Sequence, residues 1–362
     1  MAYPLKSEEM LFSKKLNPPY HPPLFLNNCV IKSVKSHKHI GSFLTTTMSW
    51  EMQISNMISK TSKRVSALNK LKFRLPRTVL DTIYKSFIRP LLEYADIIWH
   101  GCTSCDSQRL ERVQYECALT VSGAVRGSSY SSLLAELGWE RLSDRRHVHS
   151  LVMFYKIVNG HTRQYLKDLI PPVVSVFTSH NLRNKHNLRV PICTTSRYQK
   201  SFIPYATQHW NGLDTAVRSL SFSLYKKHLM KLVRPSINKH FSYGPRYTCA
   251  LLTRLRIGTC SLNQSLFIRN LASSPACNCG CRCEGVVHFL LYCPTYQQYR
   301  TIFFDNLQNL LGNSLDFNSL SESARIHLLL RGSTCLSYHT NCSILKLTQL
   351  YIVHTKRFAT TL

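Results

Sequence analysis

Apolar side chains recurring at steps of three and four between residues 49 and 160 constrain this chain more than any other feature, because that period suits a helix with one face on a core and defeats a strand. Ile54, Ile58, Thr61, Val65 and Leu68 make one such stripe, and Lys60, Lys63, Arg64, Lys70 and Lys72 lie largely off it. The spacing predicts an amphipathic helix with a basic outer face, stopped by Pro76. Leu80, Ile83, Tyr84, Phe87, Ile88 and Leu91 form a second stripe, which Pro90 should kink or interrupt because it lacks an N–H. Asp106 is placed to cap a third helix carrying Leu110, Val113, Cys117 and Val121 on one face, with Gly123 at its end. A fourth is expected from about Asp144 to Asn159, before Gly160.

The flanks have a different texture. Residues 1–24 include NPPYHPP from Asn17 to Pro23, which fits neither an ordinary helix nor a central strand, and read as a disordered lead-in. Residues 25–48 hold LFLNNCVIKSV and KHIGSFL, short strand-like runs around Gly41 that suit a hairpin or small sheet. Residues 49–170 are the helical domain. Residues 171–247 are punctuated by Pro191, Pro204, Pro235 and Pro245 and read as a connector with a helix near Ser223 to Leu232. Helices are expected near Thr248 to Arg256 and Leu262 to Leu271 within residues 248–300, and residues 301–362 return to helical patterning, including IHLLLRG. The expected fold is mainly α with a small N-terminal β hairpin, a helical bundle, an irregular α-rich connector and a small metal-binding module.

Charge narrows the partners. Against 46 Lys and Arg stand 18 Asp and Glu, a formal net charge of +28 spread through every third of the chain. Such a surplus repels itself in a compact state, and the natural compensation is a phosphate backbone that releases its counterions on binding. No run approaches the ~18 consecutive apolar residues of a membrane span, and Glu8 and Glu9 stand where a signal peptide wants apolar residues. An intracellular protein, nuclear or cytoplasmic and without a membrane partner, is the expectation. Five of the 14 cysteines crowd between Cys277 and Cys293, which fits reduced thiols with one metal site better than a disulfide framework.

That crowded stretch, CNCGCRCEGVVHFLLYC, is the sharpest local signal. Cys277, Cys279, His288 and Cys293 read C-x-C-x8-H-x4-C, the soft N/S donor set that holds tetrahedral zinc, with Gly280 permitting the tight turn that brings the first pair together. Four protein ligands leave no open position for water, so the zinc would be structural. Cys281 and Cys283 are also within reach, and Cys283-x4-His288-x4-Cys293 matches the second half of a retroviral-type knuckle, so either could replace a proposed ligand.

Catalytic signals are missing. A polymerase needs two or three carboxylates that hold two metal ions, but the only adjacent acidic pair is Glu8 and Glu9, while Asp81, Asp96, Asp106, Asp144 and Asp168 stand alone in helical patterns. There is no Gly-rich phosphate loop, HExxH or GxSxG, and no small-molecule substrate is indicated. Aromatic and basic residues alternate in HNLRNKHNLRV (180–190) and RYQKSFIPYATQHWN (197–211), where Phe202, Tyr205 and Trp210 read first as core anchors.

The ordered blocks KSHKHIG, SW at 49–50, IYKSFIRPLLEYADIIW, RLERVQ and LGWERLSDRRHVHSLVMFYKIVNG resemble the segment that follows the catalytic palm in LINE-type (non-LTR) retrotransposon reverse transcriptases. LRNKHNLRVP, YQKSFIPYATQHWNGL, LRIGTCSLNQSLF, the Cys/His cluster ending in HFLLYCP, and IHLLLRG extend the resemblance over roughly residues 25–357. It implies a palm remnant or primer-grip hairpin at 25–48, a thumb at 49–170 and a zinc knuckle at Cys277, Cys279, His288 and Cys293. In that family these parts touch RNA or DNA, and a thumb grips the backbone of the template-primer duplex. Lys38, Lys60, Lys63, Arg64, Lys70, Lys72, Arg145 and Arg146 are the candidate phosphate contacts. The family's aromatic-Ala-Asp-Asp motif would precede residue 25, and no positions here match it. The implied function is therefore a gripping portion of an RNA-directed DNA polymerase that does not catalyse alone. Magnesium chemistry would enter only with a palm supplied upstream or in another chain; a zinc-dependent adaptor between proteins is the remaining alternative.

Overall fold

The structure, a computed structural model, describes residues 7–13, 15, 19–176, 185–236, 238–312 and 315–359. It is mainly helical with a few short strands near the N-terminus. Two compact units emerge, each assembled from separated stretches: residues 1–64, 88–114 and 140–234 form the first, and residues 65–87, 115–139 and 235–362 the second. The helical stretch at 49–170 expected as one domain is thus shared between both.

In the first unit, Glu8–Glu9 pairs in parallel with Lys32–Ser33, so part of the expected lead-in is in a sheet, while residues 1–6, 14 and 16–18 of it lie outside the described residues. Phe25–Leu26 pairs with Cys29–Val30, and Ser36–His39 with Ser42–Thr45, both antiparallel. The second hairpin turns through Ile40 (φ 46°) and Gly41 (φ 82°), the two positive φ angles of the tight turn that matches strand twist. A β-branched residue at positive φ is strained, and Ile40 is held there by its carbonyl, which accepts a bond from the Tyr94 hydroxyl at 2.6 Å. A Cβ at position 41 would meet that same hydroxyl at 3.1 Å.

The unit's core gathers Val148, Leu151, Phe154 and Tyr155 from the Leu142–Val158 helix, Trp210 from Phe202–Asn211, and Tyr225 and Leu229 from Phe222–Val233. Within the stretch expected as an irregular α-rich connector, the helix expected near Ser223 to Leu232 runs Phe222–Val233, and a second, Phe202–Asn211, joins it in the core. Trp210 is the anchor its type suggests, while Phe202 and Tyr205 are half-buried. Of HNLRNKHNLRV, residues 180–184 lie outside the described residues.

Elsewhere the expected helices appear with altered ends. The first runs Glu51–Leu71 and buries Ile54, Met57, Thr61, Val65 and Leu68, with Met57 taking the inward place expected of Ile58. The disturbance expected at Pro90 is a π-helical turn, Tyr84–Ile88, between the helices Arg77–Ile83 and Arg89–Leu92. Thr103, not Asp106, caps the Ser104–Ser122 helix: its hydroxyl accepts from the Asp106 N–H at 3.1 Å and donates to the Asp106 carboxylate at 2.8 Å, which holds the hydroxyl in place. The helix expected at Leu262 to Leu271 is only Asn263–Ile268.

The second unit's core is built by the helices Arg246–Ile257, Gln297–Leu311, Glu322–Arg331 and Tyr338–His354. Phe241, Leu252, Phe303, Leu329, Ile344 and Tyr351 meet there. Ser321 and Ser337 cap the last two helices by accepting the Ala324 and Thr340 N–H groups. Beside this core the buried carboxylate of Glu136 joins Arg77, Arg256 and Thr253.

Candidate metal centre

The loop that carries the first two cysteines is pinned by backbone bonds: the Cys277 N–H donates to the Cys281 carbonyl at 2.9 Å, and the Gly280 N–H to the Cys277 carbonyl at 3.0 Å. Gly280 sits at φ +90°, a region open to glycine and closed to most other residues, which is why it stands inside the Cys-rich turn. The other two groups flank a π-helical turn, His288–Tyr292. In an α-helix two residues five apart point about 140° away from one another. The wider turn, closed by the Cys293 N–H on the His288 carbonyl at 2.8 Å, brings them back toward one side. Between them Phe289, Leu290 and Leu291 are buried in the core.

These segments converge. The ligand atoms of Cys277, Cys279, His288 and Cys293 all lie within 4.8 Å of one another. Cys277 Sγ is 3.7 Å from Cys293 Sγ, and Cys279 Sγ is 3.3 Å from His288 Nε2. A tetrahedron of Zn–S bonds has edges of about 3.8 Å, and a mixed S/N edge is slightly shorter, so both spacings suit one shared ion. Cys277 and Cys293 are buried, and the other two half-buried. Among the described residues this is the one group of three or more such side chains placed to hold a metal ion. The alternative ligands stand aside: Cys281 is exposed with its thiol directed to the Cys283 carbonyl at 3.7 Å, and neither joins the group.

Electrostatics suit ligation. Burial pushes the Cys277 thiol up to about 12, so without an ion it keeps its proton, whereas the Cys281 backbone N–H lowers the Cys279 thiol. Burial also lowers His288, favouring the neutral imidazole that ligates metals.

Four further residues support the turn. The buried Glu284 carboxylate takes a two-pronged bond from Arg357, at 2.6 Å for each oxygen, and accepts the Asn263 N–H at 2.8 Å. Arg300 donates to the Cys293 carbonyl at 2.8 Å. The sequence offered no signal for these, since the partner of Glu284 lies 73 residues away.

The eight candidate phosphate contacts divide. Lys38 is exposed on the Ser36–His39 strand, and Lys60, Lys63, Arg64 and Lys70 are exposed on the Glu51–Leu71 helix. Lys72 is half-buried with its ammonium 4.6 Å from the Phe73 ring centroid. Arg145 and Arg146 do not belong with them. Arg145 is buried with two-pronged contacts to Glu93 and a further one to Glu140 at 3.5 Å. Arg146 is buried with its guanidinium 5.1 Å from the Trp99 ring centroid and a bond to Ser107. Carboxylates meet the Arg145 charge inside the first unit, and burial withdraws Arg146 from the surface.

No helix among the described residues is long and apolar enough to cross a membrane. In comparisons with known proteins, the chain matches no family model, no curated protein and no solved structure.

Proposed function

We propose that this chain grips nucleic acid through the phosphate backbone, with a structural zinc ion at Cys277, Cys279, His288 and Cys293, as the non-catalytic portion of a LINE-type reverse transcriptase. The observation that carries the reading is the four-donor group within 4.8 Å, because it gives spatial form to the C-x-C-x8-H-x4-C spacing on which the family resemblance also rests. Three soft sulfurs and one imidazole favour zinc over magnesium or calcium, which take oxygen ligands. Full protein ligation makes the ion a fastener for the turn.

Grip comes from charge. Within the first unit, Lys60 to Arg64 rises about 6 Å along the helix, a length over which a duplex offers roughly three or four phosphate charges. The side chains on that face bind by displacing counterions and carry no base specificity. Phosphodiester chemistry belongs to a palm domain acting with this one.

Metal content and the salt dependence of duplex binding test the reading together. The expected result is one zinc per chain and an affinity that falls ~100-fold or more between ~50 and ~200 mM salt, as about four phosphate contacts require. A metal-free protein that binds duplex DNA and RNA poorly at low salt would overturn it. Affinity unchanged by salt would point to an adaptor between proteins. Primer extension by the purified chain alone should incorporate no nucleotide.

A further inference from the structure

Within the second unit, three helical segments enclose a cavity of about 920 Å³ that the grip described above does not use. The end of the Glu51–Leu71 helix and the turn after it bring Lys72 and Phe73; the end of Ser104–Ser122 and the loop beyond it bring Glu116, Leu119 and Arg126; one face of Arg246–Ile257 brings Arg246, Tyr247 and Arg254. The walls are fixed by two arginines that satisfy helix-end carbonyls. Arg246 donates to the carbonyls of Lys72 at 3.0 Å, Thr120 at 2.6 Å and Val121 at 2.8 Å, and Arg254 donates to that of Gly123 at 2.9 Å. Gly123 (φ +78°) is required at the closest approach, since a Cβ there would sit 2.5 Å from the Ala250 Cβ.

The lining has a definite chemistry. Its floor is apolar, with Leu119, Val125 and Leu251, and its ionic groups are four cations (Lys72, Arg126, Arg246, Arg254) against the single carboxylate of Glu116. Glu116 is itself 3.7 Å from Arg126. Burial and the neighbouring Arg77 bring Arg246 down to about 10, which leaves it charged at neutral pH. At the mouth the Phe73 ring is 66% exposed with the Lys72 ammonium 4.6 Å from its centroid. An aromatic face in water beside cationic side chains that outnumber the one carboxylate, over an apolar floor, complements a ligand that is flat, apolar on its faces and anionic at one end. The volume lies at the upper end of the ~300–1,000 Å³ typical of pockets that enclose a small ligand.

We infer that this cavity takes one unpaired nucleotide of a single-stranded segment, the base against Phe73 and the phosphate between Lys72 and Arg126. The inference rests on the nucleic-acid reading above and adds a second mode to it, because the exposed helix face grips backbone without reference to pairing. Stacking is the sequence-tolerant part of single-strand binding, and its loss costs about 5- to 150-fold in affinity per base.

The test uses the full, zinc-loaded chain, an oligothymidylate carrying one central 2-aminopurine, and a fully paired duplex of equal length. Stacking on Phe73 quenches the 2-aminopurine fluorescence. Phe73→Leu removes the ring at an exposed position and keeps the fold. The expected result is quenching by the parent protein, loss of quenching and a 5- to 150-fold weaker single-strand affinity in Phe73→Leu, and unchanged duplex affinity. Lys72→Gln with Arg126→Gln should weaken single-strand binding as well. Equal quenching by parent and Phe73→Leu would overturn the cavity assignment while leaving the backbone grip standing, and absence of binding to either oligonucleotide would overturn both.

Discussion

Glu136 is 7% exposed and its carboxylate lies between two guanidiniums, with Arg77 Nη1 at 2.7 Å and Arg256 Nη2 at 2.6 Å. Burial alone would raise its pKa, but Arg256 and Arg77 overturn that effect and hold the group at about 2. Because the folded value lies below the ordinary 4.5, the unfolded chain takes up the proton first, so the stabilisation is complete above pH ~4.5 and drains away as the pH falls toward 2. The linked free energy is on the order of 3 kcal/mol. His100 acts the same way in a higher window: burial first, then Arg146, His147 and His209, lower it from 6.5 to about 4, so its share is lost between those values. Acid unfolding should therefore steepen twice. Glu136→Gln should abolish the lower component and cost about 3–5 kcal/mol at pH 7 by leaving two buried cations short of a counter-charge. An unchanged unfolding midpoint for this variant would contradict the argument. Arg145 and Arg146 show why such residues mislead in sequence. Adjacent arginines look like a basic patch, whereas the acid that neutralises Arg145 is 52 residues distant, at Glu93.

At the scale of elements, the Cys/His turn was legible because all of its donors lie within 17 residues, and chain spacing alone limits which of them can meet. The choice among five cysteines was not, since it depends on the backbone: the loop bonds around Gly280 and the wide turn after His288 gather four groups and leave Cys281 facing outward. Helices were legible for the same local reason, and their ends less so, because Thr103 and Asp106 exchange two bonds that make either look like the cap. The metal turn yields a sharp prediction. Cys281→Ser and Cys283→Ser should keep one zinc per chain by mass spectrometry under native conditions, while Cys277→Ser and Cys293→Ser should lose it. Loss should also disturb the core that holds Phe289, Leu290 and Leu291, since structural zinc supplies a binding energy of roughly 10–16 kcal/mol that is coupled to folding. A chelator should therefore lower the melting temperature of the parent and leave Cys293→Ser unaffected. Full zinc content in Cys293→Ser would remove this cysteine from the site.

On the scale of the whole molecule, the division into units was hidden from the sequence by its placement. The chain passes between them five times, and three of the crossings fall within helical segments, at 64/65 and 114/115 inside the Glu51–Leu71 and Ser104–Ser122 helices and at 87/88 inside the Tyr84–Ile88 turn, while 139/140 and 234/235 fall beside Gly138 and Pro235. Charge, by contrast, sums without regard to folding, so +28 was visible at once. Its consequence is a pair of salt effects with opposite signs. Without a polyanion, like charges on one compact chain repel, and salt screens that repulsion over a Debye length of about 10 Å at ~0.1 M and 30 Å at ~0.01 M. Raising NaCl from ~10 to ~150 mM should therefore raise the melting temperature of the free protein. With a duplex oligonucleotide present, low salt should give the higher value, because a ligand at ~100 times its dissociation constant adds about 2.7 kcal/mol and salt dissolves that complex. The two melting curves should converge as salt increases, with the bound form falling and the free form rising. Differential scanning fluorimetry across a salt series, with and without duplex, measures both. With 18 Asp and Glu against 46 Lys and Arg the fold cannot neutralise its own surplus, so a free protein whose melting point ignores salt would mean that its cations lie too far apart to repel one another, and the case for a concentrated phosphate-gripping surface would fail with it.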